Sequence, residues 1–139
     1  MAYTVDDFAE SLARVRLAPG AIARVVSACG HSPEGYASWA GAFVLLLRDG
    51  RLVALTGWCD TTGWGCQDVA NLATLDVAPP AAAGQLSAAW LATAARVSSA
   101  ALLAHASPWI DGLLPDGEQW DAEPADLNRW LGKHAEGSD

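Results

Sequence analysis

The sequence predicts an α+β domain: a small sheet containing the hairpin 43–58, packed with an N-terminal helix, a long Ala-rich helix near 84–106 and a C-terminal helix. Three observations carry this expectation. Phe43–Arg48 and Arg51–Thr56 are apolar runs of strand length on either side of Asp49-Gly50, a dipeptide that suits a tight hairpin turn. Apolar residues recur at spacings of three and four near both ends of the chain and again between Leu86 and Ala101. A length of 139 residues, 52% hydrophobic and 17% charged, suits one packed core that needs neither disulfide nor metal.

Thr4 stands before Val5-Asp6-Asp7, placing a capping hydroxyl and early carboxylates at a helix start. Val5, Phe8, Leu12 and Val15 then form one apolar stripe, and Pro19-Gly20 ends it. Ile22, Val25 and Val26 continue in a segment whose periodicity fits helix or strand; a short helix is the expectation. Gly30-His31-Ser32-Pro33-Glu34-Gly35 reads as an exposed loop.

In the hairpin, a two-residue type I′ turn at Asp49-Gly50 sets Arg48 opposite Arg51, Leu47 opposite Leu52 and Leu45 opposite Ala54. One face then carries Val44, Leu46, Val53 and Leu55, and the other Phe43, Leu45, Leu47, Leu52 and Ala54. Both faces are apolar, so helices, further strands or a second subunit must cover them.

Gln67 to Val77 fits a strand or a short helix. Leu86, Trp90, Ala94, Val97 and Ala101 form the stripe of the longest helix, which Ser107-Pro108 stops. Pro124 opens a last amphipathic helix with Leu127, Trp130 and Leu131, ending near Gly132. One domain over 1–134 and a polar tail over 135–139 follow.

Sixteen acidic against eight basic residues give a net charge of −8, which repels phosphate backbones and anionic lipid. Nucleic acid and membrane are therefore poor partners, whereas a basic protein suits that sign. The N-terminus lacks the basic-then-apolar pattern of a secretory signal, and the alanine-rich stretch is too interrupted by polar residues for a membrane span. A cytoplasmic protein with reduced thiols is the expectation.

The loop from Trp58 to Cys66, with Gln67 and Asp68 after it, gathers two Trp, two Cys and two Asp at a strand end. Loops on rigid strands are where binding groups collect. Trp58, Asp60, Thr62, Trp64 and Gln67 are the partner-binding candidates on this reading, with Trp the favoured anchor. The plain alternative is structural: glycines for tight turns, Asp60 and the threonines bonding the loop backbone, and Trp rings capping the core edge.

The residues Gly57-Trp58-Cys59-Asp60, Thr62-Gly63-Trp64 and Cys66-Gln67, following a hairpin, resemble an element of small bacterial and phage proteins of unassigned activity. The resemblance spans Tyr36 to Asp68. It implies no activity, cofactor or site residue, and it favours a mobile-element or accessory protein over a housekeeping enzyme.

Cys29, His31, Cys59 and Cys66 supply the sulfur and nitrogen types of a zinc site. Their spacing departs from paired zinc knuckles, so small buried thiols are the competing reading and no cofactor is expected. The leading expectation is a small acidic protein-interaction domain, an accessory or inhibitory factor, with homo-oligomerisation through an apolar surface as a further option. The alternative is a small metal- or thiol-dependent enzyme centred on Cys59, Cys66 and His31. The carboxylates Asp116, Glu118, Asp121, Glu123 and Asp126 lack the spacing of a calcium loop and read as a solvated face.

Overall fold

A computed structural model describes residues 4–31, 39–60, 67–75, 87–105 and 121–136. Helix α1, Val5–Val15, begins at a capping box: the Asp7 N–H donates to Thr4 Oγ1 at 3.1 Å and the Thr4 N–H donates to Asp7 Oδ2 at 2.9 Å. Partial burial raises the Asp7 carboxyl above its ordinary value despite these bonds. Arg16 closes the helix in the left-handed region, at φ 57°, donating its N–H back into the last turn. Phe8 and Leu12, from the expected stripe, are buried.

Pro19–Ala21 forms a single 3-10 turn that leads into strand β1, Ile22–His31. The short helix expected over Ile22 to Val26 is thus a strand, and Gly30 and His31 belong to it and not to a loop. Three β-branched residues suit a pleated surface, and the apolar edge of the next strand supplies a partner that local periodicity does not reveal.

Strands β2, Trp39–Leu47, β3, Leu52–Asp60, and β4, Gln67–Thr74, complete an antiparallel meander. A two-residue strand, β5, Asp121–Ala122, lies on the far side of β1, giving the order β4-β3-β2-β1-β5. The segment whose type was open, after Gln67, is therefore strand through Thr74.

The β2–β3 register differs from expectation by one residue. Leu46 pairs with Leu52, Leu45 with Val53 and Phe43 with Leu55. The Leu47 N–H donates to Arg51 O at 2.8 Å, and the Gly50 N–H donates to Leu47 O at 3.0 Å. Only Gly50 in this turn has positive φ, at 92°, whereas a type I′ turn needs two such residues. The connection is a type I turn at Arg48-Asp49 followed by a left-handed Gly50, the three-residue loop that ends in a glycine bulge. Asp49 fixes it by accepting from the Arg51 N–H at 3.0 Å and Arg51 Nε at 2.9 Å. These bonds hold the Asp49 carboxyl below its ordinary value, the backbone donor first.

The slip re-sorts β3. Val53 and Leu55 join Phe43, Leu45 and Leu47 on one face, while Leu52 and Ala54 join Val44 and Leu46 on the other. Both faces are covered by helices, as two apolar faces require. The first face receives Phe8 and Leu12 from α1 with Leu127 and Leu131 from α3, Ala125–Glu136. The second receives Ala94, with Trp90, Leu91 and Val97, from α2, Ala88–His105. Ser87 caps α2, its Oγ accepting from the Trp90 N–H at 3.1 Å. α3 continues beyond Gly132 to Glu136, so Ala135 and Glu136 are helical and not tail.

Candidate functional site

The ladders bring the last residues of β1 and β3 and the first residues of β2 and β4 to the same end of the sheet. At that end His31, Ala40, Trp58 and Val69 occupy one row across four strands. Cys59 pairs with Trp39 on one side and Asp68 on the other, and Asp60 pairs with Gln67. Trp58, Cys59, Asp60 and Gln67 are thus ladder residues with fixed backbones. Trp58 is half-buried. Thr62, Trp64 and Cys66 lie outside the described residues.

Side-chain alternation separates two members of the candidate metal set. Phe43 and Leu55 belong to the core beneath α1 and α3. Counting by twos along β3 puts Cys59 on that face. Cys29 pairs with Ala42, which neighbours Phe43 in β2 and therefore points to the α2 face. Both thiols are buried, with the sheet backbone between them. A tetrahedral zinc ion needs its sulfurs at about 2.3 Å from one centre, and this arrangement does not bring Cys29 and Cys59 to one centre. Among the described residues no group of three His, Cys, Asp or Glu is placed to hold a metal ion.

Two features escaped sequence reasoning. The first is a glycine row: Gly30, Gly41 and Gly57 stand in register beside Ala70, on the α1 and α3 face. A Cβ built on Gly41 would meet the Cys29 carbonyl oxygen at 3.2 Å and Phe43 Cζ at 3.3 Å, so the Phe43 ring lies against the space the glycine leaves. Phe43 in turn packs edge-on to Phe8, with ring centroids 5.0 Å apart. Phe8 meets Trp130 at 5.6 Å, and Trp130 stacks on His134 at 4.1 Å. Trp130 is a core anchor in this chain of rings.

The second feature is polar. Ser27 and Thr56 are buried, and neither hydroxyl has a hydrogen-bond partner among the described residues. Ser27 pairs with Val44 and Thr56 with Ala42, which places both hydroxyls on the α2 face with Cys29. An unsatisfied buried hydroxyl costs about 1–3 kcal/mol. Thr56→Val, which exchanges that hydroxyl for a methyl, is expected to raise stability by about 1 kcal/mol in chemical denaturation. A loss of that size instead would mean that the hydroxyl is satisfied in solution.

No helix among the described residues is long and apolar enough to cross a membrane. No family model, curated protein or solved structure matches the chain.

Proposed function

We propose that the chain is a small acidic protein-interaction domain, a cytoplasmic accessory or inhibitory factor of a phage or other mobile element. Its contact is the sheet end carrying Trp58, Asp60 and Gln67, together with Thr62 and Trp64 of the connection between them. The observation that carries this reading is Trp58: a large aromatic side chain, half-buried, on a backbone fixed by neighbours in both β2 and β4. A pre-positioned, partly exposed Trp is the residue type that dominates binding energy at interfaces. The net charge of −8 favours a basic partner and steers its approach. The loop's resemblance to small phage and bacterial proteins supports the accessory role.

The test is affinity capture from a lysate of the host, followed by titration with the purified captured protein. Trp58→Ala is expected to weaken binding about 30-fold, the equivalent of a 2 kcal/mol hot spot. Asp60→Lys is expected to slow association and to flatten its salt dependence. Circular dichroism checks that both variants keep the fold. Unchanged affinity in both folded variants rules the sheet end out as the contact.

A further inference from the structure

The two edges of the sheet are built differently. On the β1 side, the Asn128 side chain from α3 imitates a neighbouring strand. Asn128 Oδ1 accepts from the Val25 N–H and Asn128 Nδ2 donates to Val25 O, both at 2.9 Å. The Glu123 N–H donates to Val26 O at 2.9 Å, β5 pairs with Ser27 and Ala28, and the register of β1 is twice irregular. Bulges, a very short edge strand and a covering helix are the devices that stop an edge from recruiting another chain.

The β4 side has α1 packed against it, but neither a bulge nor a further strand among the described residues. Its pairing to β3 runs from Gln67 to Thr74 without a register shift, and no described strand lies beyond it. The sequence Gln67-Asp68-Val69-Ala70-Asn71-Leu72-Ala73-Thr74 contains no proline, glycine, lysine or arginine. Leu72 is 40% exposed, the one large hydrophobic residue so exposed among those described. The Leu75 N–H donates to Leu52 O, so ladder alternation turns the odd-numbered β4 residues toward β3. The backbone groups of Asp68, Ala70, Leu72 and Thr74 therefore point outward.

We propose that β4 pairs antiparallel with β4 of a second copy of this chain, joining the two sheets across a two-fold axis at Asn71. This goes beyond the partner contact at the sheet end. The commitment to a second copy rests on self-complementarity. With Asn71 on the axis residues 68–74 overlap, and Ala70 falls opposite Leu72 of the second copy, covering the exposed leucine. Asp68, the only charged residue of the strand, falls opposite Thr74 of the second copy, so no acid faces an acid. Every outward residue meets an outward residue, as antiparallel pairing requires. The interface is isologous and closes at two copies.

Sedimentation equilibrium of the full chain over a wide concentration range tests the proposal. Wild type is expected to approach twice the 14.5 kDa chain mass. Because two acidic copies repel, added salt tightens the dimer, whereas it weakens capture of a basic partner. Ala70→Pro removes an outward N–H, which an edge strand tolerates, and is expected to sediment as a folded monomer. Asn71→Cys is expected to give a disulfide-linked dimer on oxidation, because non-hydrogen-bonded antiparallel neighbours bring their Cα atoms to about 4.5 Å. A wild-type monomer at every concentration, whether or not the edge takes up a peptide from another protein, overturns the proposal. A dimer that survives Ala70→Pro and does not cross-link through Asn71→Cys overturns β4 as its seam. Either result leaves the sheet-end contact standing, since Trp58→Ala reads that separately.

Discussion

Phe43→Ala is expected to lower the free energy of unfolding by about 3–5 kcal/mol, the range for removing a fully buried aromatic ring from a core. Phe43 has no exposed surface, sits edge-on to Phe8 and lies against Gly41, so its loss empties the junction of α1 with the sheet. Urea titration of the variant measures the loss. A double-mutant cycle with Phe8→Ala is expected to return a coupling of about 0.5–1.5 kcal/mol for the ring pair. The glycine row supplies an internal control. Gly41→Ala forces a Cβ against both the Phe43 ring and the Cys29 carbonyl in wild type, and only against the carbonyl once the ring is gone. Gly41→Ala is therefore expected to cost less in the Phe43→Ala background. Equal costs would show that the ring does not occupy the space the glycine leaves.

The same residues show which parts of this fold are legible in sequence. The α1 stripe through Phe8 and Leu12, and the α3 stripe through Leu127 and Leu131, are written in local periodicity, and both segments are helical. The two apolar faces of the hairpin demanded covers, and helices supply them on both sides. The register was lost through one dihedral. Asp49-Gly50 suits a two-residue turn, but the left-handed conformation falls on Gly50 alone, and the choice between turns depends on which side chains the core accepts. β1 was lost because its partner lies some twenty residues away in sequence, beyond any window that reads spacing. Cys29 and Cys59 fall on opposite faces of the sheet for a reason sequence does not contain: facing depends on the bulges of β1 and the register of β3 together. Trp58, where the sequence reading opens the loop, belongs to β3. Its anchorage between β2 and β4 became visible only with the register.

Replacing Asn128 is expected to have the second large effect, because its amide satisfies both the N–H and the C=O of Val25, itself buried. Asn128→Leu keeps the volume and removes both partners, leaving two backbone groups unsatisfied at about 1–3 kcal/mol each. A loss of about 2–6 kcal/mol in thermal or urea unfolding follows. Asn128→Asp separates the two bonds. The introduced carboxylate still accepts from the Val25 N–H but sets a charged oxygen against the Val25 carbonyl, so its folded-state pKa rises above the unfolded value. The proton is then bound more tightly in the folded state, and the deficit relative to wild type shrinks as pH falls through that raised pKa. A deficit independent of pH would show that the Asn128 amide donates nothing to Val25.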